Sequence, residues 1–321
     1  MKNLIIITLL IFSVNLLKGQ IPGEKKWKEN IVHNKIESQV QWNHKYEKNK
    51  PKRTGYKNYT KKFDHAGNVI EEVYYQSQSD IIDQKLSYKY DNKKNKVEYV
   101  NYEGNENKIL FKQNITYDNS TRKIGEDRYD GVDRQIIKYN YKDNKLSQIT
   151  RSDTLGEIKH KRIFNYSGNI CTISIFDEST IKTGEIINKY DNNDNIIEST
   201  EYDKTGKIKE QYYYNFNNNL VKEKVKHVLG NFMYKEDYEY DSKGNLIKII
   251  KEEPKDKVFV SNLYKYDSKE NLIEEEWYDN NPKENSKKTY YYDDKGILKK
   301  VEVYYALYKY RIQYRYKYTS Y

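Results

Sequence analysis

Five histidines, one cysteine and a scatter of carboxylates are the groups in this chain that could do chemistry, and their spacing is the first constraint. His33, His44, His65, His160 and His227 lie far apart, with no His-Glu-x-x-His pair to hold zinc on one helix face. There is no Gly-x-Ser-x-Gly, no glycine-rich phosphate loop and no Cys pair. Cys171 stands alone, so no intramolecular disulfide can form; it follows Ile170 where other units carry Ile197, Val221, Ile247 or Ile273, and reads as a small buried hydrophobe. Asp191-Asn-Asn-Asp194-Asn195 could offer oxygens to calcium, but the same string is one more copy of a recurring turn. No catalytic set, cofactor or metal is expected, and the chain reads as non-enzymatic.

The remaining candidate is a binding surface at the end of the chain. Tyr308, Tyr310, Ile312, Tyr314, Tyr316 and Tyr318 alternate with Lys309, Arg311, Gln313, Arg315 and Lys317. Period-two alternation places the rings on one face of a strand and the cations on the other. One reading is a terminal strand whose basic face discourages edge pairing. The other is a platform for an acidic polymer, with Tyr308, Tyr310, Arg311, Tyr314, Arg315 and Tyr316 as partner-binding residues. The partner would be an anionic polysaccharide or a surface protein; nucleic acid is not expected for an exported chain.

These residues must be positioned by a repeat. Tyr240-Asp-Ser-Lys-Gly244-Asn-Leu-Ile247 has the parts of a three-residue hairpin turn: Asp241 opens a type I turn and Gly244 supplies positive φ before pairing resumes. The same pattern is anchored at Phe63, Tyr90, Tyr117, Tyr139, Phe164, Tyr190, Tyr214, Tyr240, Tyr266 and Tyr292, a period of about 25 residues. Asp or Asn follows every anchor. Asn stands five residues after the anchor in eight of ten units, for example Asn68, Asn95, Asn195, Asn245 and Asn271. In the third unit β-branched Thr121 takes the positive-φ position, which predicts an irregular turn there. A looser second set of turns, including Ser152–Gly156 and Tyr202–Gly206, closes the other ends, and Asn281-Pro282 is one of them.

Composition sets the class. Residues 1–19 have a short basic start and an apolar run from Leu4 to Leu17, the pattern of a secretory signal peptide too short to prefer a membrane span. The mature chain is then exported, to the periplasm, the cell surface or the medium, with no transmembrane span. Mean hydropathy is −1.10 and net charge +10, close to the disordered class, but 36 tyrosines at regular intervals argue for strands. Residues 20–54 form an N-terminal segment: Gly23–Lys35 fits a helix face or an alternating strand, and Ile36–Tyr46 is the strand of a degenerate first hairpin. Residues 55–321 form one repeat domain without a linker.

Ten units of two strands predict an all-β fold: a repetitive antiparallel hairpin meander of about 20 strands, on the order of 95 Å wide. A sheet that wide must curl, so the expectation is a curled single sheet or partial spiral shell. The Tyr-Asp-x-x-Gly-Asn-Leu-Ile core at 240–247, with close variants at 190–197 and 266–273, resembles the YD repeat of RHS-type proteins over roughly residues 55–305. That resemblance implies a β-sheet shell, export or surface attachment, and in some relatives carbohydrate binding or a toxin cargo. The function expected is an exported repeat scaffold, with an accessory or remnant of an RHS-type toxin system as the alternative.

Overall fold

The computed structural model describes residues 22–104, 106–279 and 284–321; the expected signal peptide at residues 1–19 and the turn expected at Asn281-Pro282 lie outside them. Its strands form one antiparallel sheet of 23 strands, from β1 (Ile36–Glu47), β2 (Lys50–Pro51) and β3 (Tyr56–Phe63) to β22 (Leu298–Tyr305) and β23 (Tyr310–Ser320). From β3 onward each strand pairs with the next.

The sheet is not open. β1 pairs with β23 on one side, from Ile36↔Ser320 to Lys45↔Ile312, and with β3 on the other, from Ser38↔Lys62 to Asn43↔Tyr56. The Tyr321 N–H extends the seam by donating to the Lys35 carbonyl at 3.0 Å. Only β2, which pairs with β1 alone, stands outside the ring. The result is a 22-strand barrel rather than a curled sheet or partial spiral. The physical reason is the edge. A spiral leaves two rows of unpaired backbone groups, and the N-terminal strand supplies a partner for both. At about 4.8 Å per strand the wall runs on the order of 105 Å around. Among the described residues the buried clusters join neighbouring strands, with Ile31 and Trp27 of the N-terminal segment added at the seam, and none spans the ring.

The anchor turns fold as their residues dictate, with one refinement. In the Asp-led units the turn has the expected hydrogen bonds. Gly244 N–H donates to the Asp241 carbonyl (3.0 Å), Asp241 N–H to the Asn245 carbonyl (2.9 Å), and Gly244 has φ 85°. Asp241 Oδ1 accepts from the N–H of Lys243 and Asn245, and the Asn245 side-chain amide donates to Oδ2 at 3.0 Å. The same clamp closes Asp64–Asn68, Asp91–Asn95, Asp191–Asn195 and Asp267–Asn271, which explains the recurrent Asn. The third turn is regular, contrary to expectation. Thr121 sits at φ 62°, and Arg122 in the Asn position grips Asp118 Oδ2 through Nε and Nη2, both at 2.7 Å. That charge-assisted pair outweighs the preference of Thr against this conformation.

The Asn-led units are a different device. The strands after Tyr139 and Tyr214 run on to Lys142 and Asn217 and turn on two residues, Asp143-Asn144 and Asn218-Asn219, all with positive φ. This is the tight pairing geometry of a two-residue hairpin. Asp and Asn after the anchor therefore specify different turns.

Six tyrosine hydroxyls, five of them from anchors, tie a hairpin to the one before. Tyr90, Tyr117, Tyr240, Tyr266, Tyr292 and Tyr318 donate to the carbonyls of Val69, Lys96, Val221, Leu246, Leu272 and Leu298, at 2.6 to 3.2 Å. On the opposite face, charge pairs pin the register. Glu71, Glu98 and Glu274 each bridge two lysines from the flanking strands: Lys62 and Lys85, Lys89 and Lys112, Lys265 and Lys287. In the Tyr240 unit the equivalent pair is inverted, Glu239 with Lys248 (3.0 Å). Each pair contributes only about 0.2–1 kcal/mol, but a one-residue slip would break all of them.

Residues 24–33 are the helix α1 (Glu24–His33), which resolves the ambiguous N-terminal segment. Ile31 is buried with Ile36 and Phe63, and Trp27 meets Phe63 edge-on at 5.6 Å. Its polar side reads the turn rim across the seam: Lys28 Nζ donates to Asn68 Oδ1, and Asn30 Nδ2 donates to the Gly296 carbonyl and Asn271 Oδ1.

The clamps make stability depend on acid. The Asn95 and Asn195 side chains, followed by turn N–H groups, hold Asp91 and Asp191 below the ordinary 3.8, and Arg122 does the same for Asp118. A carboxylate with a depressed folded pKa stabilises the fold above its unfolded pKa and loses that contribution as pH falls through the folded value. The urea midpoint should hold steady between about pH 7 and 5, then fall below about pH 3.8, with Asp91→Asn flattening the profile. A midpoint unchanged down to about pH 2 would contradict the clamp.

Candidate functional site

Two faces of the wall differ in chemistry. The face carrying the anchor rings is the more enclosed. On β3, Lys61 on this face keeps 23% of its side-chain surface and Lys62 on the other keeps 58%. Here a lysine, a glutamate and a tyrosine recur as a unit. Glu72 accepts from Tyr74 (2.5 Å) and Tyr88 (3.3 Å) and pairs with Lys61 (3.3 Å). Glu275 accepts from Tyr290 (2.9 Å) and pairs with Lys288 (3.0 Å). Glu210 joins Tyr212 and Lys226, and Glu236 joins Tyr238 and Lys224. In each case antiparallel pairing brings the lysine opposite or beside the acid; a two-residue step puts tyrosine and glutamate on one face at Glu72, Glu210 and Glu236, and the neighbouring strand supplies Tyr290 to Glu275.

The most buried of these groups centres on Glu126 of β8 (Lys123–Tyr129), whose carboxylate is fully enclosed. It pairs with Lys123 and with Arg128 (2.5 Å) and accepts from Tyr139 (2.5 Å) and Gln113 (2.6 Å). Burial alone would raise its pKa, but Lys123, Tyr139 and Arg128 hold it below the usual range. The tyrosines move the other way. Burial first, then the neighbouring glutamate, pushes Tyr74, Tyr139, Tyr238 and Tyr290 up, and Tyr264 up to about 12 beside Glu275. The result is a fixed array of hydroxyls and ion pairs that can hydrogen-bond a ligand in a set geometry.

The six residues of the proposed C-terminal platform do not converge on one surface. Tyr314 and Tyr316 lie on the ring face, partly buried, while Arg311 and Arg315 lie on the opposite face. Arg311 rests over the Tyr304 ring at 5.1 Å, and Arg315 Nε donates to Gln313 Oε1 at 2.6 Å. Tyr308 is 75% exposed in the turn before β23, and Tyr310 stacks on Tyr305 at 6.2 Å. Nor is β23 an edge strand whose basic face must discourage pairing, since β1 covers that edge.

Cys171 is buried with Phe164, Ile173 and Ile186, and burial raises its pKa, so it is a thiol packed as a hydrophobe. His44 is held by the Lys52 carbonyl at 2.9 Å, with burial lowering its pKa, and the His65 ring lies tilted against Tyr321 at 4.0 Å. The Asp191 carboxylate is occupied by the turn N–H groups and Asn195. The Lys–Glu–Tyr groups were not foreseen from the sequence. Their visible trace is the Glu-x-Tyr step at 72–74, 210–212 and 236–238.

No protein-family model matches the chain, and no curated protein matches it. Among solved structures it is similar to the Photorhabdus luminescens Tc holotoxin pore, with 13% identity, TM-score 0.29 and coverage of 82% of this chain. The chain spans 19% of that toxin chain. It is also similar to a porin-like protein from Bacteroides uniformis, with 8% identity, TM-score 0.33, and coverage of 88% of this chain and 98% of that one. A porin-like protein from Bacteroides vulgatus gives 14% identity, TM-score 0.23, and coverage of 57% and 94%. Likenesses this distant carry nothing beyond the repeated antiparallel strands, and the YD resemblance stands on its motif alone.

Proposed function

We propose that this chain is a non-enzymatic, exported scaffold whose ring face binds an anionic polysaccharide. The observation that carries the reading is the array of Lys–Glu–Tyr groups, repeated around the wall and fixed by the hairpin register. The displaced carboxylates Glu71, Glu98, Glu126, Glu274 and Glu302 all move downward and the displaced tyrosines upward. Neither set is poised for proton transfer near neutrality. Charges sit mid-strand on both faces, Lys62, Glu71 and Lys85 on one and Lys61, Glu72 and Arg162 on the other. A basic group on a lipid-facing wall at mid-bilayer costs about 2–4 kcal/mol, so the composition favours water on both sides. The test is retention of the folded protein on immobilised acidic and neutral envelope polysaccharides over a range of salt. Retention on an acidic polymer that weakens with salt supports the reading. Passage through every matrix at low salt would remove it.

A further inference from the structure

The two rims of the ring differ in what their turns present to solvent. Among the described residues, eight large apolar side chains are more than half exposed. Ile81, Val132, Leu155 and Ile181 are four of them; Leu229, Val258, Leu307 and Tyr308 are the others. All eight lie in or beside the second set of turns, on the rim away from the anchor turns and α1. Val132 and Leu155 stand at turn tips and are 85% and 87% exposed.

Turn chemistry does not ask for these residues. The Asp153–Gly156 turn repeats the bonding of Asp241–Gly244, with Gly156 N–H donating to the Asp153 carbonyl at 3.3 Å. Leu155 therefore holds the place that Lys93, Asn193, Lys243, Lys269 and Lys295 hold on the anchor rim. Leu229 opens a two-residue turn at φ 49°, a conformation that suits Asn, Asp or Gly. Asp143 and Asn218 fill the equivalent place on the other rim. Leu229 is 71% exposed, so packing within the chain does not offset its strain. Residues that break a local rule at an exposed position mark a surface kept for a partner.

We infer that this rim docks end-on to a lipid bilayer, its apolar side chains dipping to the headgroup–acyl boundary, with α1 on the far rim. The charges beside the tips do not select an ionic partner. Lys57 pairs with Asp80 (3.5 Å), Lys159 with Glu157 (2.9 Å) and Lys257 with Glu253 (2.9 Å), while Asp130 and Asp177 cap their own turns. Successive turns on one rim stand about 9–10 Å apart, two strand spacings, so the tips are separate points rather than one patch. A protein partner buries a continuous apolar centre. A fluid lipid surface receives separated side chains one by one. Tyr308 adds a ring with a polar tip, the kind that rests at headgroup depth. The strands themselves stay in water, in keeping with the charges on both faces of the wall. The inference does not depend on the polysaccharide reading.

The experiment sediments the full chain with vesicles of phosphatidylcholine, with and without phosphatidylglycerol, at low salt and at about 0.5 M salt. A triple variant, Val132→Asp/Leu155→Asp/Leu229→Asp, is run beside it, with circular dichroism to check its fold. Leu155→Cys and Ser242→Cys, each in a Cys171→Ser background, carry a polarity-sensitive dye on opposite rims. The expected result is binding to phosphatidylcholine alone that survives salt and falls at least roughly tenfold in the triple variant. The dye at 155 should shift to the blue on binding and the dye at 242 should not. Equal binding of the folded triple variant, a blue shift at 242 instead, or no sedimentation with either vesicle overturns the inference. Binding only to phosphatidylglycerol vesicles and lost in salt also overturns it, because net charge would then suffice. Self-association without lipid that the triple variant abolishes assigns the rim to a second copy and overturns it as well.

Discussion

A chain ending at Lys309 should not survive as a soluble barrel. Removing residues 310–321 takes away β23 and with it the register from Ile36↔Ser320 to Lys45↔Ile312. It also removes Tyr318 from the cluster under α1 and the Tyr321 bond to Lys35. β1 and β22 become facing edges with unpaired N–H and C=O groups, templates for pairing with another chain. Because no buried cluster among the described residues spans the ring to hold the gap, the loss should reach the scale of a whole domain's stability, at least about 5 kcal/mol. Size-exclusion chromatography and thermal melting read this directly. The truncated chain is expected to aggregate or to melt far lower than the full chain. A monomer with an unchanged melting curve would show that closure contributes little.

The second large effect is expected at Glu126. Glu126→Ala should destabilise by about 3–5 kcal/mol, because it leaves Lys123, Arg128, Tyr139 and Gln113 facing a site from which their common acceptor has gone. The value belongs toward the lower end. Lys123 and Arg128 keep 26% and 22% of their side-chain surface and can turn to water. Glu126→Gln retains an acceptor for Tyr139 and should cost less. Urea unfolding of the two variants checks the order. Equal midpoints for Ala, Gln and wild type would mean that the buried carboxylate is not a keystone of this face.

What could be read from the sequence was local. The Asp241–Gly244 turn follows from φ preferences and side-chain acceptors within five residues, so its geometry matched, and the strand read over Ile36–Tyr46 from alternation is β1, Ile36–Glu47. Closure could not be read this way. It depends on β1 meeting a strand nearly 300 residues away, and its pairs, such as Gln41↔Tyr316, are ordinary strand residues. The Thr121 turn was misjudged because the expectation weighed only the β-branched Thr121 and not Arg122, the cation beside Asp118. Asp and Asn after the anchors were treated as one class, although the Asn-led strands run longer to two-residue turns. The ring-face groups share that limit. Glu72 meets Lys61 only in the folded register.

The most direct test is a cross-link across the seam. Ser38 Oγ and Thr319 Oγ1 lie 2.7 Å apart on facing positions of β1 and β23. In a Cys171→Ser background, Ser38→Cys with Thr319→Cys should form an intramolecular disulfide under mild oxidation, leaving a folded monomer that migrates faster without reductant. An open or spiral sheet would hold these positions on opposite edges. A folded monomer whose two thiols stay reduced would contradict the closed barrel.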